Sequence, residues 1–277
     1  MPTALRIQGL KKSFGGLPAI NDVSLEVAAG ERRLIIGPNG AGKTTLFNLV
    51  TGDLPADTGS ISLLDEDVTR LAPHRRVHRG LARTYQIITL FPKDTLEHNI
   101  TLSLLGLSRM RWNSFASLQK AMFHEEAMKI LALVGLESMA SRLLSEVSYG
   151  DKRRVEIAMA LAQKPRLLLL DEPLAGLSRE ERVTVKQLIG AIPRETTVVM
   201  IEHDMDTALD LAERRDVLRL VTGIPREVTI VMIEHDMDVA LDFAERISVL
   251  HFGEVVVEGT RREVVDHPRT REIYLGE

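Results

Sequence analysis

The sequence predicts an α/β fold with a mostly parallel sheet, and three observations carry that expectation. Short apolar runs alternate with helical stretches along the chain. A glycine-rich loop, Gly37-Pro38-Asn39-Gly40-Ala41-Gly42-Lys43-Thr44-Thr45, joins the apolar run Leu34-Ile35-Ile36 to a helix-like segment from Leu46 to Val50. A leucine run, Leu167 to Leu170, ends in the paired acids Asp171 and Glu172.

The elements follow in order. Leu5 to Leu10, Val23 to Val27 and Leu34 to Ile36 read as strands between Gly, Pro and Asn/Asp turns, giving an N-terminal portion expected to be antiparallel β. Ile61 to Leu64 reads as another strand after the turn at Thr58-Gly59. From about residue 93 to residue 164 the pattern is helical. Glu125 to Val134 places Ala127, Met128, Leu131 and Val134 on one face, and Gly135 ends it. Leu167 to Leu170 reads as a strand buried on both faces. A further helix, strand and helix come after it.

The last part of the chain holds a tandem repeat. Glu181 to Ala212 aligns without gaps on Glu213 to Ala244, with 21 of 32 positions identical. Val199-Met200-Ile201-Glu202-His203-Asp204-Met205-Asp206 returns unchanged as Val231 to Asp238. Two copies are too few for a solenoid, so an internal duplication is the expected origin.

Composition narrows the classes. Hydrophobic residues make up 44%, enough for a substantial core in 277 residues. A net charge of −4 argues against a general nucleic-acid binder. The absence of cysteine excludes a disulfide framework and a thiolate metal site. Met1 to Gly16 has no apolar core of a signal peptide, and the longest apolar run is Ile157 to Ala162. A membrane span needs ~20 residues. The chain is therefore expected to be soluble and cytosolic, reaching any membrane through a partner.

The glycine-rich loop is chemistry for phosphate. Its glycines let backbone N–H groups converge, the following helix adds a partial positive charge, Lys43 adds a full one, and Thr44 offers a hydroxyl to Mg²⁺. Asp171 and Glu172 stand at the C-terminal end of a strand, the ligand-facing edge of a parallel sheet. Asp171 can hold Mg²⁺, and Glu172 can polarise a water for attack on a γ-phosphate. Ser148 precedes the helical run Asp151 to Gln163 and is suited to cap it.

With these motifs the chain resembles the ATP-binding subunits of ABC transporters over almost its full length. Gln86, in Arg83-Thr84-Tyr85-Gln86, falls where that family has its Q-loop glutamine. Val147-Ser148-Tyr149-Gly150-Asp151 falls at the signature sequence, with Val147, Tyr149 and Asp151 departing from the usual Leu, Gly and Gln. Phe14 falls at the aromatic that stacks on adenine, and His203 and His235 both match the switch histidine. Leu174-Ala175-Gly176-Leu177-Ser178 lacks the family's usual Asp at its end. Tyr149, Leu46 to Gly52 and Ile273-Tyr274-Leu275-Gly276 are similar to the branched-chain amino-acid importer group.

The resemblance implies a P-loop NTPase fold. Residues 1–87 and 156–277 would form the nucleotide-binding core, and residues 88–155 a helical subdomain carrying the signature. It implies ATP and Mg²⁺ as cofactors, with Phe14 on adenine and Gly37, Asn39, Gly40, Ala41, Gly42, Lys43, Thr44 and Thr45 on the phosphates. Thr44, Gln86 and Asp171 would serve the metal. Glu172 would be the base, with Gln86 and His203 or His235 at the γ-phosphate. Ser148, Tyr149, Gly150 and Asp151 would complete a site in a second ATPase subunit. The further partners implied are membrane permease subunits and, indirectly, an extracytoplasmic solute-binding protein, with the chain peripheral on the inner membrane face. A lipopolysaccharide-export ATPase and a catalytically impaired assembly subunit are the alternatives.

Three expectations concern the remaining features. Arg75, Arg76, His78, Arg79 and Arg83 are expected on a solvated face, with an acidic partner or a membrane-proximal position as the alternative. Trp112 and Phe115 are expected in core or loop packing, with a partner contact as the alternative. Only one repeat copy, the first, is expected in the sheet, with the other extruded at its periphery.

Overall fold

The computed structural model describes residues 2–85, 90–107, 116–192, 196–201, 230–231 and 244–275. Gln86, Trp112, Phe115, His203 and His235 lie outside the described residues.

The N-terminal third begins with β1 (Thr3–Phe14), β2 (Leu17–Ala28) and β3 (Arg32–Ile36). Helix α1 (Lys43–Thr51), β4 (Thr58–Leu63), β5 (Glu66–Asp67), α2 (Pro73–Val77) and β6 (Leu81–Arg83) follow. The helical stretch comprises α3 (Leu96–Leu107), α4 (Ala116–Leu133) and α5 (Tyr149–Ala162). Then come β7 (Leu167–Asp171), α6 (Arg179–Gly190), β8 (Thr197–Ile201) and β9 (Ile230–Val231). The chain closes with β10 (Arg246–His251), β11 (Glu254–Gly259), α7 (Arg261–Val265) and α8 (Pro268–Leu275).

The strands form two sheets. β2-β1-β4-β5 is antiparallel throughout, as expected for the N-terminal portion. The larger sheet runs β11-β10-β3-β9-β8-β7-β6, and every pairing in it is parallel except β10 with β11. β3 and β7 are buried at every position, which is why their segments Leu34 to Ile36 and Leu167 to Leu170 read as unbroken apolar runs. Leu5, Ile7, Leu25 and Val27 of the small sheet face Leu46, Phe47 and Val50 of α1 and Ile35 and Leu169 of the large one. Helix α1 is thus enclosed between the sheets. Helices α3, α4 and α5 pack on one another as a separate helical layer.

Caps fix the helix ends that matter for the site. Helix α1 stops at Gly52, whose φ of 84° is left-handed. Its last carbonyls are satisfied by a buried cation: Arg76 Nη1 donates to Leu49 O and Val50 O, both at 2.7 Å. The same guanidinium donates to Leu71 O and Thr69 O. Among the expected basic face, Arg75, His78 and Arg79 are exposed, with Arg79 paired to Glu66. Arg76 and Arg83 are not on it. Their side chains are buried, because peptide carbonyls and carboxylates replace the water they give up.

The repeat expectation needs correction. Copy one supplies β8, which pairs with β7 from Leu167↔Thr197 to Asp171↔Ile201. Copy two also enters the same sheet: Ile230 and Val231 pair with Val198 and Val199 and with Arg32 and Arg33. Arg32 is registered with Val198 as well. Both copies carry nearly the same apolar strand sequence, Val198 in the first matching Ile230 in the second, so backbone pairing does not reject the second.

Candidate functional site

The site is built on three strand ends. β3 delivers the glycine-rich loop, β7 delivers Asp171 and Glu172, and β6 delivers Arg83 to Tyr85. The loop closes tightly before α1. Ala41 N donates to Pro38 O, and the first helical bond runs from Leu46 N to Gly42 O. The amides of Lys43, Thr44 and Thr45 open the helix without an acceptor inside it, as an anion site requires. Gly42 sits at the helix N-cap with φ 100°, and a Cβ there would meet Ala19 O at 2.4 Å. A Cβ on Gly37 would meet Leu250 O at 2.1 Å, so the loop lies directly on β10. Asn39, Gly40 and Thr44 are exposed at the mouth.

Lys43 is nearly buried. Its Nζ donates to Gly37 O at 2.5 Å and Pro38 O at 3.0 Å. Burial lowers its pKa, and the charges of Glu172 and then Asp171 act in the opposite direction. The loop cation and both acids therefore share one electrostatic neighbourhood.

Asp171 is 1% exposed. Arg83 Nη2 lies 2.5 Å from its Oδ2, while its Oδ1 is buried with no hydrogen-bond partner. Burial pushes the Asp171 carboxyl up, and Arg83 opposes that shift. An orphaned carboxylate oxygen beside a phosphate loop fits a divalent cation, since a buried polar atom otherwise has no compensation. Arg83 also donates to Asn48 Oδ1 at 2.6 Å and lies over the rings of Phe47 and Tyr85. Glu172 is buried and has φ 46°, a left-handed conformation unusual for a residue with a side chain.

Phe14 ends β1 at the hairpin turn. It is 48% exposed, with Lys12 Nζ 5.7 Å from its ring centroid, so it is a free aromatic face and not a core residue.

Ser148 is the N-cap of α5, its Oγ accepting from Asp151 N at 3.1 Å. Asp151 pairs with Arg154 one turn on. Gly150 N donates to Glu181 Oε1 at 2.9 Å. The other Glu181 oxygen closes the capping box of α6 by accepting from Ser178 N. Tyr149 is exposed and its ring lies against Gly176. Of the departures from the usual signature, Tyr149 thus faces the segment Leu174 to Ser178 in the same chain.

Sequence reasoning missed four residues here. Arg83 was grouped with a surface run. Arg153, Glu156 and Glu181 went unmarked because polar residues inside helices read as solvent-facing. The spacing of Arg153 and Glu156, one helical turn apart, was a weak signal for an ion pair.

The family profile described as ABC transporter matches residues 20–175. The chain is 36% identical over 218 residues to the high-affinity branched-chain amino acid transport ATP-binding protein LivG of Escherichia coli (strain K12). That alignment spans 76% of this chain and 85% of LivG. It is 33% identical to BraF of Pseudomonas aeruginosa, another branched-chain amino acid transport ATP-binding protein, over 99% of this chain and 98% of BraF. It is 31% identical to the lipopolysaccharide export system ATP-binding protein LptB of Acidithiobacillus ferridurans, over 100% of this chain and 98% of LptB. Among solved structures, the ADP conformation of MJ1267, an ATP-binding cassette of an ABC transporter, superposes with a TM-score of 0.73 at 27% identity. That superposition covers the whole of both chains.

Proposed function

We propose, from the premise that this chain belongs to the ABC transporter family of ATP-binding subunits, that it powers an importer of branched-chain amino acids. As a member of that family it is an ATPase. The observation that carries the chemistry is the convergence of Lys43, Asp171 and Glu172 at one sheet edge. The solute reading rests on LivG and BraF, which share more identity with the chain than LptB does.

In this reading Phe14 stacks on adenine. The amides of residues 39–45 and Lys43 hold the phosphates. Thr44, Gln86 and the free oxygen of Asp171 hold Mg²⁺, which when bound neutralises charge on the phosphate oxygens. Glu172 takes the proton of the attacking water. One of His203 and His235 contacts the γ-phosphate. Ser148 to Asp151 present a helix N-terminus to ATP held by a second ATPase subunit.

The same reading divides the chain into a nucleotide-binding core, 1–87 and 156–277, and a helical subdomain, 88–155. Among the described residues no helix is long and apolar enough to cross a membrane. In this reading permease subunits supply the membrane path, the chain sits peripherally on its inner face, and an extracytoplasmic binding protein delivers solute. Co-reconstitution with permease subunits of a branched-chain amino-acid importer tests the reading. ATP-dependent leucine uptake, competed by isoleucine and valine, is expected. Lipopolysaccharide extraction without amino-acid uptake would replace it with the export reading.

A further inference from the structure

Glu172 holds a left-handed φ of 46°, a region an L-residue keeps only when its surroundings enforce it. Two donors meet its carbonyl oxygen: Ala175 N at 3.2 Å and Arg153 Nη2 at 3.2 Å. Arg153 comes from α5, the helix that Ser148 caps, and is fully buried. Its Nη1 donates to Glu156 Oε2 at 2.6 Å and to Tyr85 O at 2.9 Å. The other Glu156 oxygen accepts from Tyr85 N at 2.9 Å. Both backbone polar groups of Tyr85 are thus held by one ion pair.

Burial pushes the Glu156 carboxyl up, and Arg153 opposes the shift. A planar guanidinium locked by that carboxylate aims its remaining N–H groups in fixed directions. Here they reach carbonyls of two segments that are distant in sequence, at Tyr85 and Glu172.

We propose that Arg153 is a positioning residue for ATP hydrolysis. With Glu156 it fixes the backbone of Tyr85 and the backbone of Glu172, so that α5 sets where the Glu172 side chain stands. The proposal rests on the reading of Glu172 as the base. It predicts that a shift of α5 on subunit pairing moves the backbones of Tyr85 and Glu172 together. The plainer possibility is a buried pair that serves stability alone.

The test uses the full chain with Arg153→Met, and with Arg153→Met combined with Glu156→Gln. The single variant strands a buried carboxylate and is expected to lose thermal stability. The double variant removes both charges, keeps an acceptor for Tyr85 N, and should regain most of that stability. In both, kcat is expected to fall about tenfold or more with KM for ATP within about twofold, as misplacement of a reacting group produces. Hydrogen exchange of the Ala175 amide, which shares the Glu172 carbonyl, should speed several-fold in the double variant.

Recovery of kcat together with thermal stability would overturn the proposal. So would unchanged Ala175 exchange. Failure of the underlying reading shows separately, as wild-type turnover in Glu172→Gln, and the Ala175 exchange then still decides the role of Arg153.

Discussion

Arg83 Nη2 and Asp171 Oδ2 stand 2.5 Å apart, with side chains only 4% and 1% exposed. Their strand ends are neighbours, since Arg83 pairs with Leu169 two residues before Asp171. The guanidinium is further held by Asn48 from α1. One side chain thus ties the helix after the phosphate loop to the acid at the end of β7.

Removing that cation leaves an uncompensated buried carboxylate. Arg83→Met should cost about 3 kcal/mol, within the range for breaking a buried pair. Arg83→Lys keeps the charge but loses the fork that reaches both Asn48 and Asp171, so it should fall between. Urea denaturation of the three proteins checks the order. Equal stability of Arg83→Met and wild type would show the pair to be energetically idle.

The loop glycines differ in what they tolerate. Gly37→Ala forces a Cβ to 2.1 Å from Leu250 O, so loop and β10 must separate, and nucleotide binding should be lost. Gly40 has φ 77° with nothing within 4 Å of a Cβ. Gly40→Ala should therefore cost only about 1 kcal/mol of backbone strain and retain measurable binding. Fluorescent nucleotide titration of both variants decides. Comparable losses would mean that space is not what selects glycine at residue 37.

These residues also mark what was legible in the sequence. Gly37 to Thr45 was readable because close approach, left-handed turns and phosphate charge each demand particular residue types. Leu167 to Asp171 was readable because a strand buried on both faces leaves an unbroken apolar run. Arg83, Arg153 and Glu156 were not, because their burial depends on partners brought by the fold from distant segments. Glu66–Asp67 and Leu81–Arg83 were missed as strands, since two or three residues carry no period. The repeat was plain, but its nearly identical strands left the sheet occupancy open.

The acid end of the stability profile tests a second ion-paired cluster, in which a buried Arg33 meets the exposed Glu258. Burial alone would raise the Glu258 carboxyl. Arg33, at 2.9 Å, with Arg246 and Ser248, instead brings it below its ordinary value of 4.5. A depressed folded-state pKa gives stability that is present above 4.5 and is lost as pH falls through the folded value. Glu258→Gln should remove that contribution at neutral pH and flatten the profile below 4.5. Denaturant midpoints across the acid range check it. An unchanged slope would remove Glu258 from the account.

The duplicated histidine can be assigned by turnover. Ile201 pairs with Asp171 and precedes His203 by two residues, which favours the first copy. His203→Ala should lose most hydrolysis while His235→Ala keeps it. Loss confined to His235→Ala would assign the role to the second copy, and equal partial losses would mean that both serve.

The central claim, that Glu172 is the base of an ATPase built on the loop at residues 37–45, is tested most directly by turnover of Glu172→Gln beside its ATP affinity. The amide preserves shape and cannot take a proton, so hydrolysis should fall about 100-fold or more, the scale of general base catalysis. ATP binding should remain, and an ATP-dependent dimer should accumulate. Hydrolysis by Glu172→Gln at close to the wild-type rate would contradict the account.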